Sequence, residues 1–292
     1  MSHVVLLVGP PGSGKSTLAK EYEAQGYIRI SQDSQGQKEH LVKFINALDM
    51  GLMIVVDRMN FNVGQRRRYL DPAKAAGYKT SIIVLHVPME ECLARCAKRT
   101  GHETIKDQAT AEVAVRRFFT SYERVEDSEA DTVERDYSFN QKKNKIIVCD
   151  LDGTLADIKH RRHFLNREEG RKPNWKAFFD NMDKDEVHGW CRELLDAMSA
   201  RHRIVYATGR PEDYMPITQE WLEKNGLIYP GYKLFSRLKG DHRADTIVKE
   251  IILDFEIRPR YDILMIVDDR ASVVAMWRKH GYTVLQCDVG DF

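Results

Sequence analysis

Apolar residues in the first part of the chain fall into short dense runs: HVVLLVG from His3, YIRIS from Tyr27, LMIVVD from Leu52 and TSIIVLHV from Thr80. Between these runs lie longer stretches with apolar residues at helical spacing. Short β-rich runs separated by amphipathic helices predict βαβ units on a parallel sheet. From about Glu126 to Lys145 the strand pattern vanishes. That stretch, EDSEADTVERDYSFNQKKNK, is charged and polar and reads as a linker or peripheral segment. The pattern restarts with IIVCDLDGT at Ile146, HRIVYATGR at His202 and YDILMIVDDR at Tyr261, strands that end in polar, chemically capable residues. No internal repeat or low-complexity tract interrupts it. The expected fold class is α/β, with two parallel-sheet domains at residues 1–140 and 141–292.

Composition narrows the class. With 45 Lys and Arg against 44 Asp and Glu, the net charge is +1, which argues against a wholesale electrostatic coat for DNA but not against a local basic groove. No apolar run approaches the roughly 20 residues that a membrane helix needs, and VVLLVG is too short for a signal peptide. The 5 Cys are scattered and odd in number, so no disulfide framework is expected. Cys92 and Cys96 share one helix face, and burial there is the simpler reading. A reducing, cytoplasmic setting follows as an expectation.

Gly9-Pro10-Pro11-Gly12-Ser13-Gly14-Lys15-Ser16 is a complete G-x-x-x-x-G-K-[ST] motif, with an apolar strand before it and Thr17 and a helical stretch after it. Glycines let backbone N–H groups turn inward around phosphate oxygens, and the helix N-terminus adds partial positive charge. Lys15 neutralises β- and γ-phosphates, and Ser16 offers a hydroxyl to Mg²⁺. Asp33 follows the second strand, at the same sheet edge, and can accept the proton of an attacking hydroxyl. It could instead cap a helix beginning at Ser34. Asp57 ends the third strand and could reach Mg²⁺ through water, orient an acceptor, or do neither. Arg95 and Arg99, four apart before Gly101, can close over a triphosphate or form a solvated face.

Asp150-Leu151-Asp152-Gly153-Thr154 follows the strand KIIVC and resembles the first signature of haloacid-dehalogenase-like phosphohydrolases. Thr208-Gly209-Arg210, Lys249 and Asp268-Asp269 resemble the remaining signatures, in order. The residue types fit together chemically. A hard cation on Asp150, Asp268 and the Asp152 carbonyl relieves repulsion between a carboxylate and a phosphate. Asp150 attacks phosphorus, Asp152 serves as general acid and base, and Thr208 and Lys249 hold phosphoryl oxygens. Asp269 orients Lys249 or a metal-bound water. About 55 residues separate Thr154 from Thr208 and about 40 separate Thr208 from Lys249, which leaves no room for an elaborate cap. An open site admits a polymer end, with Arg161, Arg162, Arg210 and Arg243 as candidates for flanking phosphates.

A P-loop kinase followed by a minimally capped phosphatase of this class resembles the bacteriophage polynucleotide 5′-kinase/3′-phosphatase family over nearly the whole chain, down to the terminal Gly-Asp-Phe. The resemblance implies ATP as phosphate donor and Mg²⁺ as cofactor. It also implies phosphorylation of 5′-hydroxyl ends of RNA or DNA and removal of 3′-phosphate or 2′,3′-cyclic phosphate. A polynucleotide ligase would act downstream, and a homo-oligomer is among the states it allows. Carried over residue by residue, Lys15 and Ser16 fall on the phosphate-loop pair, Asp33 on the general base, Asp57 on an acidic site residue, and Arg95 and Arg99 on lid arginines. Asp150, Asp152, Arg161, Thr208, Arg210, Asp245, Lys249, Asp268 and Asp269 fall on phosphatase positions. The chain departs from the pattern at Gly36, where the phage family has an acceptor-binding Arg, so Arg29, Lys38 or the Arg66–Arg68 run would have to grip the acceptor. A small-molecule kinase fused to a small-molecule phosphatase is the alternative, and a nucleotide-binding adaptor with relic motifs a third.

Overall fold

The first sheet is built from strands that are apolar on both faces. β1 (His3–Val8) is buried from Val4 onward, as a strand covered by helices on two sides must be. It lies at the centre of the parallel order β2-β3-β1-β4-β5, with β2 at Ile28–Ser31, β3 at Ile54–Asp57, β4 at Lys79–Leu85 and β5 at Thr132–Asp136. The crossovers carry α1 (Lys15–Ala24), the single turn α2 (Gln32–Gln35), α3 (Glu39–Asp49), α4 (Val63–Ala75), α5 (Met89–Ala97) and α6 (Gln108–Ser121). Their ends are encoded locally. Asn62 caps α4 by accepting from the Gln65 N–H at 2.8 Å, and Asp107 caps α6 through the Thr110 N–H at 2.7 Å. The structure is a computed structural model that describes residues 2–98, 107–140, 142–165 and 172–289. Arg99, Gly101 and the terminal Gly-Asp-Phe lie outside the described residues.

The chain divides into two units, Met1–Gln141 and Lys142–Phe292. The second unit has its own parallel sheet, ordered β10-β9-β6-β11-β12. Its strands are β6 (Asn144–Cys149), β9 (Arg203–Pro211), β10 (Lys233–Arg237), β11 (Tyr261–Asp268) and β12 (Val284–Gln286). Between β6 and β9, the chain forms a small antiparallel ribbon, β7 (Ala156–Asp157) with β8 (Glu186–Val187), around α7 (Trp175–Asp180), and then α8 (Gly189–Ser199). α9 (Met215–Lys224), α10 (Asp245–Ile251) and α11 (Ala271–Lys279) complete the layers. Two apolar clusters cover the two faces, one around Val205, Ile266 and Trp277 and the other around Ile147, Tyr206 and Trp221. The two parallel α/β sheets are those that the hydrophobic pattern predicts.

One segment differs from expectation. The stretch read as a linker contains β5, whose Ser81↔Thr132 to Leu85↔Asp136 register completes the first sheet. TVERD carries a single large apolar residue, Val133. It can still be a strand because it is an edge strand, half-exposed and paired on one side, where charge is tolerated. All 5 Cys are free, with Cys92 and Cys96 buried on α5. Among the described residues, no helix is long and apolar enough to cross a membrane.

Candidate active sites

In the first unit the G-x-x-x-x-G-K-S segment joins β1 to α1. Gly12 and Gly14 have φ of +84° and +101°, a region that L side chains avoid. A Cβ on Gly12 would lie 2.5 Å from the Cys92 carbonyl oxygen, so α5 can rest on the loop only because glycine is there. Lys15 is buried, and its ammonium donates to the Pro10 carbonyl at 2.7 Å and to Ser13 Oγ at 3.4 Å. The loop therefore wraps its own lysine. Ser16 and Thr17 occupy the first turn of α1, which has no side-chain cap. Arg95, on α5, donates to the Gly12 carbonyl at 3.5 Å and to Glu91 at 2.7 Å, which places its guanidinium on the loop.

Asp33 sits inside α2 rather than capping a helix, since α2 begins at Gln32, and it is exposed at the carboxyl edge of β2. Asp57 is buried, and its Oδ2 takes both Nε and Nη2 of Arg29, at 3.1 and 2.5 Å. Arg29 is thereby committed to Asp57. Arg66 is not an acceptor-groove charge. It is fully buried, forks onto Glu129 at 2.6 and 2.8 Å, and donates to the Asn60, Glu123 and Arg124 carbonyls.

A network that the sequence did not flag surrounds α2. Arg58, one residue past β3, donates to Gln32 Oε1 and, at 2.7 Å, to the Tyr69 hydroxyl. Tyr69 also meets His40 Nε2 at 2.9 Å, while His40 Nδ1 lies 2.7 Å from the Gly36 carbonyl. The Gly36 carbonyl can only accept, so Nδ1 carries a proton, and in the neutral imidazole Nε2 then accepts from the Tyr69 hydroxyl. Burial, helped by Arg58 and Arg68, lowers the His40 pKa and favours that neutral form.

In the second unit Asp150 follows β6, the central strand, and Asp268 ends the neighbouring β11. Asp150, Asp268 and Asp269 are buried and each offers an oxygen within 4.8 Å of the others. Lys249, on α10, is the buried cation among them, 2.8 Å from Asp150 Oδ1 and 2.8 Å from Asp268 Oδ2. Three carboxylates around one ammonium leave an excess of buried negative charge. Burial pushes the Asp150 carboxyl up against the opposing pull of Lys249, and it pushes Asp269 up to about 6, with Asp268 adding to the shift. Burial opposes the charge on Lys249, but Asp150 and Asp268 outweigh it and raise its pKa. A hard divalent cation with oxygen ligands fits this donor set.

Of the two roles expected of Asp269, orienting Lys249 falls to Asp150 and Asp268, while Asp269 accepts from Thr154 Oγ1 at 3.1 Å and joins the acidic group, a placement compatible with the other role at a metal-bound water. Arg161 and Arg210, candidates for flanking phosphates, are turned onto carboxylates. Both are fully buried, and Arg161 donates to Asp152 at 2.5 Å and to Asp185 at 2.6 Å. Arg210 donates to Asp152 at 2.6 Å and to Asp185 at 3.0 Å. Burial opposes the charge on Asp152, but Arg210 and Arg161 together hold its carboxyl well below the usual carboxylate range. Arg243 is bound to Asp241 at 2.6 Å.

Thr208 is buried, with Oγ1 accepting from the Arg210 N–H at 3.2 Å. Asp245, at the start of α10, takes Arg237 on one oxygen and Arg270 on the other, each at 3.1 Å. Glycines are required where these carboxylates approach the backbone. A Cβ on Gly209 would lie 2.1 Å from Asp245 Oδ1, and one on Gly153, at φ +87°, would lie 2.4 Å from Asp269 Oδ2. Asp185, Arg237 and Arg270 are the site residues that sequence reasoning missed. Asp185 lies in the insert between Thr154 and Thr208, where no motif marks it.

The sequence profile described as "Polynucleotide kinase PNKP phosphatase domain" matches residues 144–292, and one described as "AAA domain" matches residues 4–124. A "Putative bifunctional polynucleotide kinase/RNA ligase" of Autographa californica nuclear polyhedrosis virus is 27% identical over 310 residues, covering 94% of this chain and 41% of that protein. A "Bifunctional polynucleotide phosphatase/kinase" of Schizosaccharomyces pombe is 37% identical over 94 residues, 32% of this chain and 22% of that protein. The chain thus spans well under two thirds of the length of these relatives. A chain of the solved Pnkp1/Rnl/Hen1 RNA repair complex is 21% identical, with a TM-score of 0.45 over 100% of this chain and 97% of that one. Since the phosphatase profile covers more than half of its length, the chain belongs to the polynucleotide kinase PNKP phosphatase domain family.

Proposed function

We propose that the chain heals nucleic-acid ends: its first unit phosphorylates 5′-hydroxyls from ATP, and its second removes 3′-phosphates through a phosphoaspartate. The observation that carries this reading is the second-unit site, where a buried Asp150 ends the central strand beside Lys249 and a second carboxylate, Asp152, is gripped by two arginines. A binding module has no use for that pair. The small-molecule alternative has no observation in its favour.

In the second unit Mg²⁺ held by Asp150, Asp268 and Asp269 would supply charge neutralisation between carboxylate and phosphate. Asp150 attacks phosphorus, the P–O3′ bond breaks, and Asp152 delivers a proton to the departing 3′-oxygen. Asp152, again a carboxylate, then takes a proton from water as that water attacks the acyl-phosphate, releasing inorganic phosphate and freeing Asp150. Lys249 and Thr208 hold phosphoryl oxygens through both steps. Asp152 rests as a carboxylate, so before the first step it must take a proton from solvent, which requires its arginine grip to loosen as the substrate's charge arrives.

In the first unit Lys15 leaves its Pro10 contact to meet the β- and γ-phosphates of ATP. Asp33 takes the proton of the 5′-hydroxyl, whose oxygen attacks the γ-phosphorus as ADP departs. Arg95 offsets charge developing on the transferred group, with Arg99 as its expected companion. The relative whose name includes an RNA ligase supports a downstream sealing partner.

The test compares polymers with monomers. Label transfer from γ-labelled ATP is measured on a 5′-hydroxyl oligonucleotide and on a nucleoside, and phosphate release on a 3′-phosphorylated oligonucleotide and on glycerol 2-phosphate. The reading expects kcat/KM to favour the oligonucleotide in both reactions. Equal or reversed preference would establish the small-molecule pair.

A further inference from the structure

The cavity above Asp150 has a volume of about 590 Å³ and extends well beyond the carboxylates. That is room for a whole nucleotide, not for a phosphate alone. One wall is aromatic. Trp175 and Phe179, both on α7, lie with ring planes 23° apart and centroids 6.0 Å apart, and Tyr214 packs 5.2 Å from Phe179. Trp175 keeps 45% of its surface exposed, although it belongs to the cavity that contains Asp150 and Asp152. A large indole left open beside reactive carboxylates offers a flat π-face to a ligand, not to the core.

The wall is also tied to the chemistry. Phe178 carries the Arg161 guanidinium 4.0 Å from its ring centroid, and Arg161 is one of the two groups that hold Asp152. The helix that presents Trp175 is thereby fixed against the general acid. Its start is fixed too, since Asn174 accepts from the Ala177 N–H at 3.0 Å. A ring bound on Trp175 is positioned relative to the bond being cleaved.

We propose that Trp175, backed by Phe179 and Tyr214, is a stacking platform for the base of the nucleotide that bears the 3′-phosphate. This deepens the phosphatase reading and rests on it. Every base has a π-face, so the platform accepts all of them, and it requires an end whose base is unpaired. It also provides discrimination against small phosphate esters, which reach Asp150 but have nothing to place on the indole.

The experiment is a cycle of substrate and variant. Two 3′-phosphorylated single-stranded oligonucleotides are compared, identical except that one has a tetrahydrofuran abasic residue at its terminal position. The readout is the ratio of kcat/KM for the two, in wild type, Trp175→Ala and Trp175→Tyr. Wild type is expected to favour the base-bearing end by roughly 5- to 100-fold, mostly through KM. The ratio should shrink towards one in Trp175→Ala and return substantially in Trp175→Tyr, which a merely structural role for the indole would not produce. A ratio that is the same in wild type and Trp175→Ala overturns the platform while leaving the phosphatase reading intact. No turnover of either oligonucleotide by wild type, with glycerol 2-phosphate still hydrolysed, overturns the polynucleotide reading and the platform with it.

Discussion

Asp152 shows what a single residue owes to its neighbours. The proposed reaction requires of it a proton at one step and a bare carboxylate at the next, and Arg210 and Arg161, against the effect of burial, favour the carboxylate. Those two arginines share a second buried partner, Asp185, which also accepts from His160 at 2.9 Å and, through its carbonyl, from Trp221 Nε1 at 2.8 Å. Removing one partner from a buried charge network leaves the other uncompensated. Asp185→Asn is therefore expected to cost about 3–5 kcal/mol of second-unit stability and to lower the phosphatase rate while the kinase rate holds. Denaturant unfolding followed by tryptophan fluorescence checks this directly, because Trp175, Trp190, Trp221 and Trp277 all lie in the second unit. An unchanged midpoint with an unchanged phosphatase rate would show that Asp185 is dispensable.

At the scale of elements, strands buried on both faces were legible in the sequence because their apolar runs are unbroken, as in HVVLLV and IIVC. The edge strand β5 was not, because pairing on one side allows TVERD to be charged. The same limit applies to the sites. Lys15, Asp150 and Asp152 stand in motifs that follow strand ends, and Lys249 stands on α10. Asp185, Arg58 and Tyr69 act through side-chain partners 11 to 29 residues away, a spacing that no local pattern encodes. The turn that carries Asp33 is held by one such partner, Arg58 on Gln32, and by a local contact of His40 on Gly36 that Tyr69 meets from 29 residues away.

That arrangement has a pH signature. The folded state holds His40 below its ordinary value of 6.5, so the unfolded chain binds the extra proton more readily. The stabilisation is complete above about 6.5 and is lost as pH falls from there towards the lowered pKa. Arg58 and Arg68 act in the same direction as burial, while the Gly36 carbonyl and Glu39 oppose it. Hydrogen exchange of the α3 amides should therefore quicken across that window relative to the intrinsic rate, and His40→Gln should flatten the dependence. Equal pH dependence in the two proteins would remove His40 from the account.

For the whole molecule, the proposed function puts opposite chemistries on one chain. On the proposed reading one unit would add a phosphate and the other remove one, each with its own cation site: Ser16 in the first, and the Asp150–Asp268–Asp269 group in the second. Chelation of divalent cations is expected to abolish both reactions, and Mg²⁺ to restore both. Persistence of the phosphatase in excess chelator would contradict the role given to the acidic group.

The most direct test of the central claim uses one short single-stranded RNA with a 5′-hydroxyl and a 3′-phosphate, incubated with ATP and Mg²⁺. Products are resolved for wild type, Lys15→Ala and Asp150→Ala. The account predicts that wild type converts both ends, that Lys15→Ala still clears the 3′ end, and that Asp150→Ala still phosphorylates the 5′ end. Conversion of neither end by wild type, or loss of both activities in either variant while that variant remains folded, would contradict it.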